Sequence, residues 1–109
     1  MEQLKITGVL PIGVIENGRL CNVVSLREMT LRDSLRTATP PEGVSESEFY
    51  PKLAGIAACL TIDGVPQDKI THNFILDLSE EDGEYLLNLK QQLSAKKKEQ
   101  VQTAATLTP

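Results

Sequence analysis

From Leu4 to Val14 the apolar side chains Leu4, Ile6, Leu10, Ile12 and Val14 share one parity, the period of a strand with one buried face. Glu16-Asn17-Gly18-Arg19 follows at once. Both central residues of a type I′ turn need positive φ, which Asn tolerates and Gly adopts freely, so Asn17-Gly18 predicts a hairpin over 3–26. A two-residue loop pairs Glu16 with Arg19, Ile15 with Leu20, Val14 with Cys21 and Ile12 with Val23. Pro11 and Gly13 interrupt the first arm. Proline has no amide hydrogen for a central ladder, so this arm is expected at a sheet edge or with a bulge that shifts parity.

After the hairpin the period becomes helical. Thr30 and Asp33 have capping-box spacing around Leu31 and Leu35, predicting a helix over about 30–38 that Thr39-Pro40-Pro41 breaks. Ser45 or Ser47 opens the next, about 47–62, with Phe49, Leu53, Ile56 and Leu60 on one stripe and Pro51 in its first turn. Thr71 caps a short helix over 71–78. Ser79, with Asp82 at the box position and Glu80 and Glu81 against the positive helix end, opens a last helix over 80–98. Its buried stripe is Tyr85, Leu86, Leu89 and Leu93, and Lys96, Lys97 and Lys98 complement its negative end. Residues 99–109 are mostly small and polar and predict a flexible tail. The expectation is one α+β domain over 1–98: an N-terminal β-hairpin or small antiparallel sheet packed with three to four helices.

With 109 residues the chain has room for one core. Aromatics make up only 4%, and the net charge is −4, so neither base stacking nor phosphate attraction favours nucleic acid as a partner. No run approaches 18 apolar residues, and the N-terminus lacks a secretory pattern, which predicts a cytoplasmic protein with no membrane partner. Cys21 and Cys59 are too few for a disulfide scaffold and are expected as buried thiols.

Catalytic patterns are missing from the sequence. The single His72 has no nucleophile signature beside it and is expected as a surface or capping side chain. The series Asp77, Ser79, Glu81, Asp82, Gly83 resembles a calcium loop, but its glycine is seventh, and Asn88 stands where a chelating Glu belongs. No catalytic, cofactor or metal residue is therefore expected, and the chain reads as non-enzymatic. Two features suit protein contact. On the helix from 47, Ala54, Gly55 and Ala58 point away from the apolar stripe and would let a partner helix or a second copy approach closely. Leu87 lies off the Tyr85-Leu89-Leu93 stripe and is the second candidate.

The run Val24-Ser25-Leu26-Arg27-Glu28-Met29-Thr30-Leu31-Arg32-Asp33, following a hairpin, resembles the tail assembly chaperones of long-tailed bacteriophages, especially Mu-like ones. The segment Leu53 to Leu60, the break at Gly64-Val65-Pro66, and Leu78-Ser79-Glu80-Glu81-Asp82 followed by Leu86 and Leu89 extend the likeness over about residues 4 to 95. Met29 stands where the family often has proline, and Ser34 where an apolar residue is usual. The resemblance implies a protein of the host bacterial cytoplasm, absent from the mature virion, that binds the helix-rich tape measure protein. It would keep that client soluble until tail-tube protein polymerises around it. A structural tail or baseplate component and a self-assembling interaction module are the alternatives.

The family also commonly makes a longer form by programmed frameshifting, and the resemblance places such a site at Ala95-Lys96-Lys97-Lys98. Lysine codons begin with two adenines, so this stretch can encode a slippery adenine run. The longer form would be a further partner.

Overall fold

The computed structural model describes residues 4–107, with side chains through Glu99. Strand β1 (Lys5–Glu16) turns into β2 (Arg19–Arg27), followed by helix α1 (Leu31–Arg36) and a 3₁₀ turn at Glu46–Glu48. Helix α2 (Pro51–Cys59) runs directly into β3 (Leu60–Ile62). A second 3₁₀ turn (Gln67–Lys69), α3 (His72–Leu76) and the long α4 (Glu80–Leu107) complete the order. The sheet is antiparallel, in the order β1-β2-β3, and with four helices the fold is α+β.

The hairpin turn forms as its dipeptide requires: Asn17 has φ 51° and Gly18 φ 76°. Glu16 pairs with Arg19, Ile15 with Leu20 and Val14 with Cys21. Farther from the turn Val23 pairs with Val9, not with Ile12, because residues 10–13 stand opposite Asn22 alone. The irregularity falls on Pro11 and Gly13, where a missing amide hydrogen and a φ of 88° interrupt the ladder. It also buries Leu10 while Ile12 stays exposed. As expected, β1 is an edge strand.

The single helix expected over 47–62 is three elements. Ser45 makes no side-chain cap, the 3₁₀ turn ends at Glu48, and α2 starts with Pro51 in its first turn. At Leu60 the backbone turns extended, with ψ 137°. Thr61 and Ile62 are β-branched and favour a strand, and Leu60 and Ile62 both reach the core on strand parity while Thr61 faces out. Leu60 pairs with Leu26 and Ile62 with Val24. Thus the stripe Phe49-Leu53-Ile56-Leu60 is not one helical face; its last member is buried from the sheet.

The core gathers Leu10, Val24, Leu26, Ile56, Leu60, Ile62, Ile75, Leu86, Leu89 and Leu93. Full burial of one such side chain is worth about 1.5–3 kcal/mol. Cys21 and Cys59 are buried and free. The helix expected over 71–78 is the shorter α3, with Thr71 accepting from the Phe74 amide as its cap. The expected end of the last helix at Lys96–Lys98 is not an end, because α4 continues to Leu107. The lysines therefore lie mid-helix and do not complement a terminal dipole; residues 108–109 of the expected tail lie outside the described residues.

Helix α4 is fastened to β1 by close approach at Gly8. A Cβ there would overlap Tyr85 Oη and sit 3.0 Å from Tyr85 Cζ, and Oη accepts a hydrogen bond from the Val9 amide at 3.0 Å. Gly8→Ala is expected to cost about 1–3 kcal/mol through this overlap, read from urea unfolding midpoints. Gly8→Ala/Tyr85→Phe should recover part of the loss. An unchanged midpoint in Gly8→Ala would show that the contact yields freely.

Candidate interaction surface

Two buried carboxylates fix the frame from which surface side chains project. Asp82 occupies the N3 position after Ser79, whose Oγ accepts from the Asp82 amide at 3.3 Å. Its own carboxylate does not return to the cap. It accepts from the Ile12 amide through Oδ1 and the Gly13 amide through Oδ2, both at 2.9 Å, and is only 1% exposed. The β1 irregularity leaves these two amides without strand partners, and one carboxylate takes both.

Asp33 does the same for α1. Thr30 and Asp33 form a complete capping box, with Thr30 Oγ1 accepting from the Asp33 amide and Asp33 Oδ2 accepting from the Thr30 amide. Arg27 Nη1 donates to Asp33 Oδ2 at 2.6 Å, and Nη2 donates to Oδ1 at 3.2 Å and to the Ala58 carbonyl at 3.0 Å. The Arg27 guanidinium, aided by hydrogen bonds from Thr30, holds the Asp33 carboxyl well below the ordinary carboxylate range against the opposing effect of burial. Arg27 is raised in turn, chiefly by its hydrogen bond to Asp33. One ion pair thereby joins the end of β2, the start of α1 and the end of α2.

The sequence-derived contact residues are not a free face. Gly55 is covered by Met29, whose Cε would lie 2.9 Å from a Cβ at that position. Ala54 is buried, and Ala54 and half-buried Ala58 line a groove whose other wall is Arg36, Thr37, Thr39 and Pro41. The small residues do allow close approach, but what approaches is this chain's own 29–41 segment. Leu87 is half-buried and packs one side against the core. Ala95, Lys96, Lys97 and Lys98 are exposed along α4.

His72 is buried at 4% exposure, contrary to a surface placement. Its Nε2 accepts from the Tyr50 amide at 2.9 Å, which puts the ring proton on Nδ1, 3.1 Å from Asn73 Oδ1. Phe49 and Tyr50 pack against the ring, with centroids at 5.3 and 6.3 Å. Tyr50 is the N-cap residue of α2, so the histidine ties α3 to the start of α2. Among the described residues no group of three or more His, Cys, Asp or Glu side chains is placed to hold a metal ion, and no helix is long and apolar enough to cross a membrane.

The large apolar side chains that do face solvent concentrate in the first third of the chain. Val9 and its partner Val23, Ile15 and its partner Leu20, and Ile12 on the irregularity are all exposed along the hairpin. Leu31 and Leu35 on α1 are the most exposed, at 77% and 70%. Sequence periodicity marks Leu31 and Leu35 as a stripe without saying which way it faces; the buried Asp33 turns it outward. Strand addition is a poor route for a partner. Along β1 the Val9, Ile12 and Gly13 amides are taken by α4 and Pro11 has none, while on β3 the Leu60 carbonyl accepts from Gln67 Nε2 at 2.8 Å. Along the middle of β1, side-chain faces are more available than the backbone edge. No protein-family model, curated protein or solved structure matches the chain.

Proposed function

We propose that this chain is a tail assembly chaperone of a long-tailed bacteriophage that binds the tape measure protein and keeps it soluble until tail-tube protein polymerises around it. The observation that supports the reading is the concentration of exposed aliphatic side chains on the hairpin and α1, on a frame clamped by Asp82 and Asp33. A long helix-rich client exposes apolar stripes that associate with one another, and a small protein presenting aliphatic faces covers them. Several modest contacts along one client keep the complex reversible, so that tube subunits can displace the chaperone. The chain would act in the host cytoplasm and leave before the virion matures. A longer form made by frameshifting at Ala95-Lys96-Lys97-Lys98 belongs to the same proposal; the exposed mid-helix lysines have no helix-end role.

Co-expression with the tape measure protein encoded alongside it is expected to raise the soluble fraction of that client severalfold and to allow co-purification of the pair. Mass spectrometry of purified virions should then find the tape measure protein without this chain. A client equally soluble alone, with no co-purification, would refute the proposal, and the chain's presence in finished particles would assign it to the tail structure instead.

A further inference from the structure

We infer that the outward face of α1, formed by Leu31, Arg32, Leu35 and Arg36, docks an acidic amphipathic helical segment of another protein; the inference rests on the chaperone reading, in which the client supplies that segment. At 100° per residue these four positions fall within a 140° arc, and Asp33 lies outside it, 60° beyond Arg36, where it is buried against Arg27. All four are exposed. A helix of six residues is too short to hold itself together, and α1 is maintained by its capping box and by the Arg27–Asp33 pair. The two leucines contribute little to that, since water reaches most of their surface. They form a ridge one turn long, of the kind that packs into the groove between side-chain rows of a second helix.

Charge selects the occupant. The chain carries −4 overall, yet this face holds two cations. The ion pairs among the described residues, Arg27–Asp33 and Lys69–Glu16, involve neither Arg32 nor Arg36. Each guanidinium can take a carboxylate in a two-pronged bond. A matching segment has apolar residues three or four apart, seated on Leu31 and Leu35, flanked by Asp or Glu toward the arginines. A basic segment would be repelled there, and a flat polar surface would leave the leucines uncovered.

The test is binding of the full-length chain to peptides of about 20 residues tiled across the tape measure protein, with co-purification of the intact client in parallel. Leu31→Glu/Leu35→Glu and Arg32→Glu/Arg36→Glu should each weaken binding at least tenfold while leaving the thermal midpoint within a few degrees of wild type. Leu31→Ser/Leu35→Ser replaces the first variant if that one fails to fold. The peptides that bind should be acidic, gain helical circular dichroism on binding, and weaken as salt rises from 50 to 500 mM. If wild type binds the client and both variants bind as well, the α1 inference is wrong and the chaperone reading stands, with docking on the hairpin. If wild type binds no client, both fall together. Binding that resists salt and the arginine changes rules out an acidic partner, and a dimer of this chain abolished by the leucine changes would give the face to a second copy instead.

Discussion

Asp82→Ala is expected to cost about 3 kcal/mol, the largest loss from any single polar side chain in the fold. The removed carboxylate is buried and is the acceptor for two amides, and each hydrogen bond to a charged group is worth about 1.5–3 kcal/mol. Its loss also leaves the Ile12 and Gly13 amides without a protein acceptor. Part of the cost is returned when water reaches the half-exposed edge of β1, which keeps the total near the lower bound for two bonds. The thermal midpoint should fall by roughly 10–20 °C. Asp82→Asn is the sharper variant, because an amide offers one acceptor oxygen and turns a donor toward the second N–H. It should lose at least half as much stability as Asp82→Ala, with the loss concentrated in faster hydrogen exchange around residues 9–14. An Asp82→Asn protein as stable as wild type would mean that the two-pronged contact does not hold the irregularity in β1.

Asp33→Ala is the second large effect, about 2–3 kcal/mol. It deletes the capping box and leaves Arg27 without its carboxylate while part of that side chain is buried. The arginine remains about one-third exposed, so water offsets part of the loss. The same pair gives the stability a pH dependence whose sign follows from linkage. The native Asp33 carboxyl is held below its unfolded value of about 4, so the unfolded chain binds the proton more readily. The contribution is complete above about pH 4 and is lost progressively as pH falls below that toward the lowered native value. Urea unfolding from pH 6 to pH 2 should show wild type losing stability more steeply below pH 4 than Asp33→Asn does. Parallel curves would remove Asp33 as the acid-sensitive group.

Both effects rest on residues whose local role is legible in sequence and whose tertiary role is not. Thr30-Leu31-Arg32-Asp33 announces a capped helix, and the cap forms as spaced. Nothing in that tetrapeptide says that Arg27 will complete an ion pair across three elements, because the pairing depends on where β2 ends relative to α1 and α2. Ser79 and Asp82 likewise announce a helix start, but the carboxylate is drawn to β1 because two free amides there bind it better than its own cap does. The small side chains of Ala54, Gly55 and Ala58 do permit a close approach, and the segment that makes it in this fold is the chain's own 29–41. A period of 3.6 separates the faces of a helix without saying how many of them the rest of the chain will cover.

What the order of residues settled unaided is whatever is governed by neighbours a few positions apart: the Asn17-Gly18 turn, the caps at Thr30 and Thr71, the interruption at Pro11-Gly13, and a hairpin followed by helices. These depend on φ preferences and on hydrogen bonds within one turn. The three-dimensional arrangement alone decided that Leu60–Ile62 leaves the helix to become an edge strand and that His72 is enclosed. It also decided that Leu31 and Leu35 face water while the alanines do not. Those outcomes depend on contacts between segments tens of residues apart, through burial and the satisfaction of buried polar groups, which local propensity alone does not select.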